Sequence, residues 1–214
     1  MEHSSIPSTL HVSRHPAVAA DMSVMRAAST TRREFRAALR RIARVLTLEA
    51  SSTLETRSVV IQTPLEETEG VEVLRRVILV PILRAGLGML DGALDVFPNA
   101  AVGHLGMYRN ERTLESVSYY TKLPSHLADS EVLLLDPMLA TGGSALAALN
   151  QLRAAGAGRI RLLALVAAPP GVHVIAQHDP DLHMYVAALD RQLDDNGYIR
   201  PGLGDAGDRL FGTE

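Results

Sequence analysis

The sequence predicts an α/β protein, a parallel β-sheet covered by helices on both faces. Three observations carry this. Short apolar runs recur, at Val77–Ile82, at Val132–Asp136 up to its closing acid, and at Ile160–Ala167; strands buried on both faces read as such runs. Helix-length stretches separate them, so strand and helix alternate along the chain. Of the 214 residues, 47% are apolar and 21% charged, which allows one sizeable core and is too apolar for a disordered chain.

In order, the elements are as follows. The opening MEHSSIPSTL is polar and is expected to be loose. Residues 31–46 form a strong helix: Thr31 and Glu34 make a capping box, and Phe35, Leu39, Ile42 and Leu46 an apolar stripe. Ser58–Gln62 and Val71–Val73 are strand pieces around the polar turn LEETEG, which suggests a hairpin. Val77–Ile82 is a buried strand, Leu87–Asp95 a helix and Ala101–Met107 a strand. Asn110–Lys122, NERTLESVSYYTK, is polar until Val117 and suits an exposed hairpin or flap. The strand Val132–Asp136 leads through a loop to a helix over Ser144–Ala155. The strand Ile160–Ala167, the short helix Val172–Gln177 and the strand His183–Ala188 complete the alternation. With no internal repeat or linker, a single domain over 1–214 is expected, divided into an N-terminal helix and hairpin region (1–76), a core sheet (77–190) and a C-terminal loop (191–214).

Composition excludes several classes. A net charge of −3 does not point to a dedicated nucleic-acid binder. The absence of cysteine removes disulfides, thiolate catalysis and cysteine–zinc sites. No apolar run reaches membrane-spanning length and no signal peptide opens the chain, so a soluble cytoplasmic protein is expected. Lys122 is the only lysine, so a Schiff-base mechanism would have to use it, and the P-loop of an NTPase, which needs a lysine beside its glycines, is ruled out at Gly142.

Ligands of a parallel sheet bind beyond the carboxyl ends of its strands, so the loops after Ile82, Met107 and Leu135 are the places to look. In VLLLDPMLATGGS (132–144), glycines bring N–H groups close to an anion, the next helix adds its positive end, and Thr141 and Ser144 add hydroxyls. That suits one phosphate monoester, with Asp136 a sugar's length away to accept from ribose hydroxyls. The plainer alternative is a tight turn with a capping hydroxyl. Arg84, in VPILRAGLG, has a fork that can grip a phosphate, although most loop arginines are only solvated. Arg109, in MYRNE, either closes over an anion with the flap or pairs with Glu111.

Near the end, NGYIRPGLGDAGD contains a formal GxGxxG from Gly202 to Gly207. No strand leads into it and seven residues follow it, too few for a dinucleotide-binding unit. Its glycines fit either a backbone wrapped around a flat ligand or a plain terminal loop. Arg32, Arg36, Arg40 and Arg44, with Arg33 and Arg41 beside them, form a stripe that is either an anion or RNA site or, more simply, a solvated or subunit-facing side. His173, His178 and His183, five residues apart, share no helix face and are assigned no metal.

Taken together, VPILRAGLGMLDG, GMYRNE, YYTKLP, DPMLATGGS, LVAAPPG and GYIRPGLGDAGDRLFGT resemble the uracil phosphoribosyltransferase family of type I phosphoribosyltransferases. The single acid of Asp136-Pro137, where most type I relatives have two adjacent acids, resembles the uracil-specific branch. The resemblance implies an α/β parallel-sheet type I phosphoribosyltransferase core with flanking helices, an N-terminal helical segment and a flap hairpin. It implies transfer of the phosphoribosyl group of phosphoribosyl pyrophosphate (PRPP) to N1 of uracil, giving UMP and diphosphate. By the same resemblance Asp136, Pro137, Met138, Leu139, Ala140, Thr141, Gly142, Gly143 and Ser144 hold the ribose and 5-phosphate. Arg84 and Arg109 bind the diphosphate and are catalytic together with Asp205, which also lies near PRPP. Tyr198, Ile199, Gly204, Asp205 and Ala206 hold uracil. No protein metal ligand is expected; Mg²⁺ arrives through the diphosphate and water. A homodimer or homotetramer and a GTP effector are also implied, although HPAVAADM lacks the basic residues of some relatives. Two rivals stay open: an RNA-binding regulator on the same fold, and orotate as the base, for which Arg200 is the nearby cation.

Overall fold

A computed structural model describes residues 6–213 except 110–115, and Arg109 and Ser116 through their backbone alone. In chain order the elements are β1 (Leu10–Val12), α1 (Pro16–Arg26), α2 (Arg32–Ser51), β2 (Thr56–Gln62), β3 (Glu67–Val73), β4 (Arg76–Leu83), α3 (Leu87–Leu94), β5 (Ala101–Val102), β6 (His104–Arg109), β7 (Ser116–Lys122), β8 (Ser130–Leu135), β9 (Met138–Leu139), α4 (Gly143–Ala154), β10 (Arg159–Ala167), α5 (Pro169–His178), β11 (His183–Leu189), β12 (Gln192–Leu193), β13 (Ile199–Arg200) and α6 (Ala206–Phe211).

The central sheet runs β1-β11-β10-β8-β4-β6-β7, with β5 beside β4 and β9 beside β10. All its pairs are parallel except β6 with β7. Alternate residues of one strand feed opposite cores, as the two-residue period requires. In β8, Leu133 and Leu135 join Phe35, Leu39 and Leu46 of α2, whereas Val132 and Leu134 join Leu149 and Leu152 of α4. The fold is mixed α/β with a mainly parallel sheet, as its alternation predicts. Among the described residues no helix is long and apolar enough to cross a membrane.

Several bounds shift. The 31–46 helix begins where its capping box places it, with Thr31 as N-cap, but extends to Ser51. Leu10, expected in a loose segment, starts β1 and pairs with Met184. The stretch that follows, between β1 and α2, is the helix α1, whose Val18, Met22 and Met25 are buried. The expected strand Ala101–Met107 is split at Gly103, whose N–H turns to the Leu79 carbonyl at 2.9 Å. The hairpin is longer than LEETEG allowed, because β3 starts at Glu67. It forms a separate ribbon that leaves Val60, Leu65 and Val71 at least 75% exposed, so no buried face imposes a hydrophobic alternation on it. The flap's second strand is β7; its tip, 110–115, lies outside the described residues.

Candidate active site

A cavity of about 360 Å³ opens at the carboxyl ends of β4, β6 and β8. Its floor is the loop after β8. Asp136 follows the last β8 residue, and its own N–H bonds to the Leu163 carbonyl at 3.1 Å. The loop is firmer than a plain turn: Met138 and Leu139 form β9, in register with Val166 and Ala167. Pro137 does not line the cavity, and its carbonyl accepts from Leu165 and Val166, both at 3.1 Å. Met138 through Ser144 line the cavity.

Gly142 makes the turn into α4 with φ 84°, in the left-handed region. A Cβ there would lie 3.1 Å from the Gly171 carbonyl. No side chain caps α4, so the N–H groups of its first turn, with no partner inside the helix, present their positive end to the cavity. The Thr141 and Ser144 hydroxyls flank them.

Asp136 opens on this cavity yet is packed round by protein. That burial pushes its carboxyl up from 3.8 to about 7, against a weaker opposing hydrogen bond from the Met138 backbone. At neutral pH the acid is therefore poised between its two forms.

Arg84 stands on the opposite wall, one residue past β4, with its side chain 56% exposed. It has two neighbours on α6: the Asp208 carboxylate at 3.5 Å and the Phe211 ring, 5.9 Å from the guanidinium carbon.

The third wall is the C-terminal loop. Gly197, Gly202 and Gly204 all have positive φ, from 62° to 80°, so these glycines are there for backbone path. Ile199, in β13, buries its side chain in the core, whereas Tyr198 is half exposed. Asp205 caps α6 by accepting from the Asp208 N–H at 2.9 Å. Tyr198, Ile199, Gly204, Asp205 and Ala206 all line the cavity. β13 does lead into the glycines, but it pairs antiparallel with β12, outside the central sheet, which leaves the dinucleotide reading rejected.

This loop is anchored from the N-terminal region. Arg26, the last residue of α1, grips the buried Asp190 carboxylate through two hydrogen bonds of 2.6 and 2.8 Å, and donates to the Gly202 carbonyl at 2.8 Å. The Gly202 N–H donates to the same carboxylate at 2.8 Å. Arg209 of α6 reaches the Ala27 and Leu203 carbonyls, each at 2.8 Å, and lies over the Phe35 ring at 4.5 Å. Its burial lowers its pKa.

The sequence-predicted residues thus converge, with two exceptions, Pro137 and Arg109. Pro137 is not a lining residue. The backbone of Arg109 ends β6, beside the cavity residue Met107, but its side chain lies outside the described residues, as does Glu111. Lys122 pairs with His104 at the far end of β7, away from the cavity. Three residues of the arginine stripe tie α2 to its neighbours: Arg40 grips Asp95, Arg41 grips Asp21, and Arg36 donates to the Leu210 carbonyl at 2.9 Å. Met107 and Gly207 line the cavity from within GMYRNE and the glycine motif, although the sequence assigns neither a role; the Arg26–Asp190 pair carries no local motif.

The sequence model of the uracil phosphoribosyltransferase family matches residues 12–213. The chain belongs to the uracil phosphoribosyltransferase family. A uracil phosphoribosyltransferase of Roseiflexus sp. is 50% identical over 202 residues, covering 94% of this chain and 97% of that protein. A solved structure from Aquifex aeolicus superposes with a TM-score of 0.92 at 36% identity, covering 96% of this chain and 99% of that one. A hypoxanthine phosphoribosyltransferase structure from Staphylococcus aureus gives a TM-score of 0.51 at 12% identity, over 77% of this chain and 83% of that one. That likeness concerns the fold alone.

Proposed function

We propose that this chain transfers the phosphoribosyl group of PRPP to N1 of uracil, giving UMP and diphosphate. The observation that carries the reading is the pairing, in one cavity, of an anion cradle at Thr141–Ser144 with the loop of Gly204–Ala206. The first-turn N–H groups of α4 and the two hydroxyls suit a 5-phosphate. Asp136, once ionised, accepts from the ribose hydroxyls. Arg84, with Arg109 from the end of β6, meets the charge that develops on the leaving diphosphate. Uracil N1 bonds to the anomeric carbon as the bond to diphosphate breaks, and its proton passes to water or the departing diphosphate, so no protein nucleophile is needed. Main-chain groups around Ile199 and Gly204–Ala206 distinguish uracil from cytosine, because exchanging O4 for an amino group leaves a buried group unpaired.

Asp136 and Asp205 line the cavity, and among the described residues no cluster of three or more His, Cys, Asp or Glu is gathered into a metal cage. That lining fits Mg²⁺ that arrives with the diphosphate, since this ion keeps several waters and is commonly held through substrate phosphates rather than by a protein cage. Bound in this way, Mg²⁺ would help neutralise charge on the diphosphate.

The orotate reading loses its cation: Arg200 is tied to Asp194, its Nε donating at 2.8 Å. The RNA reading is weakened, because Arg36, Arg40 and Arg41 of the stripe are already engaged within the chain. The exposed apolar residues of the β2–β3 ribbon support a homodimer or homotetramer, and the resemblance supports a GTP effector and a cytoplasmic setting.

Purified protein incubated with uracil, PRPP and Mg²⁺ should form UMP, and absence of product would refute the reading. Orotate should fail to compete with uracil. Arg84→Ala and Arg109→Ala should each lower kcat/KM by about 10²-fold or more, and unchanged values in both would remove them from the diphosphate site.

A further inference from the structure

The reading above leaves Asp208 without a role, although it is the carboxylate next to the one cation whose side chain is described in the cavity wall. A carboxylate beside a diphosphate site repels the ligand, so its presence there needs a reason. Three observations bear on it. Asp208 lies 3.5 Å from Arg84, a long and half-exposed ion pair, which an incoming anion can displace at small cost. Phe211, one turn along α6, stands under the same guanidinium, so Arg84 is restrained from two sides. Asp208 is itself held, since its backbone N–H donates to the Asp205 carboxylate and its Oδ1 accepts from the Thr213 hydroxyl. The first turn of α6 thus lies against both the guanidinium and the base loop: a Cβ at Gly207 would stand 3.2 Å from Asp205 Oδ1 and 3.9 Å from Arg84 Nη2.

An exposed arginine samples many rotamers and loses that freedom when it grips an anion; partial fixing beforehand reduces the loss. The guanidinium has five N–H donors, so one weak contact to Asp208 leaves most of its fork for the ligand. We propose that Asp208 is a positioning residue: with the Phe211 ring it holds the Arg84 guanidinium at the lip of the cavity, so that the helix beside the base loop sets where the diphosphate-binding cation stands. This rests on the uracil and PRPP reading.

The test is a set of variants in steady-state kinetics, with diphosphate binding by calorimetry in parallel. Asp208→Ala should raise the KM for PRPP about three- to tenfold, with kcat and the KM for uracil within about twofold. Asp208→Asn, which keeps an acceptor oxygen, should recover most of that loss. In an Arg84→Ala background Asp208→Ala should add nothing, because the group being positioned is gone. An unmoved KM for PRPP in Asp208→Ala, the full cost persisting without Arg84, or an equal rise in the KM for uracil would each overturn the proposal. An inactive wild-type enzyme would refute the reading of the site, whereas an active enzyme with an indifferent Asp208 would refute this inference alone. Diphosphate binding gives the same comparison without turnover.

Discussion

Asp136 meets two conflicting demands: burial favours its neutral form, and ribose hydroxyls favour its anion. Its folded pKa of about 7 lies above the ordinary 3.8, so the folded chain keeps a proton that the unfolded chain gives up between those values. The free protein should therefore lose stability as pH rises from about 4 to about 7, and Asp136→Asn should flatten that slope in thermal melts. On the proposed reading the ligand draws off the proton, so PRPP binding should weaken as pH falls below about 7. The KM for PRPP against pH, wild type beside Asp136→Asn, checks this; parallel profiles would remove the acid from the ribose site. Gly142 makes a different demand. With its φ of 84°, Gly142→Ala should cost about 1–2 kcal/mol in urea denaturation and weaken PRPP binding as the α4 N-terminus shifts. Both residues were legible in the sequence, because an acid, glycines and hydroxyls at a strand end are a local pattern. The elevated pKa was not, since it depends on packing from β9 and the rest of the loop.

Among the elements, α1 has the least visible role and the longest reach. It lies far from the cavity in sequence, yet Arg26 fixes Asp190 and Gly202 together, and the C-terminal loop hangs from that joint. Arg26→Met should leave the Asp190 carboxylate buried without its partner. The expected cost is about 2–4 kcal/mol by denaturation, with a rise in the KM for uracil larger than that for PRPP. Equal rises in both would mean that the pair supports the fold and not the loop. This element was not foreseen because PAVAADMSVMR is short and only weakly amphipathic. Helix α6 was hidden in the same way, six residues inside a glycine-rich stretch. The two-residue strands β9, β12 and β13 carry no periodicity at all. By contrast β4, β8 and β10 announced themselves, because strands buried on both faces are apolar throughout.

At the scale of the whole molecule, one sheet separates two cores. Leu133 and Leu134 are neighbours in β8 and both fully buried, yet each belongs to a different core. Leu133→Ala and Leu134→Ala should each lower stability by about 3–4 kcal/mol in urea titrations, and each should do so as a single cooperative transition. A biphasic curve in either would show that the helical layers unfold separately. The alternation that predicted this sandwich could not predict what closes it: contacts such as Arg26 with Asp190, 164 residues apart, leave no mark in any local window.

That separation also divides the cavity along the chain. The strands of the central sheet and the loop Thr141–Ser144 all lie within residues 10–189, whereas the opposing loop needs Ile199 to Ala206 and the grip of the α6 arginine on Ala27 and Leu203. On the proposed reading, the sugar-phosphate half of the site is thus built into the sheet, and the base half is a strap laid over it and tied back to the far end of the chain.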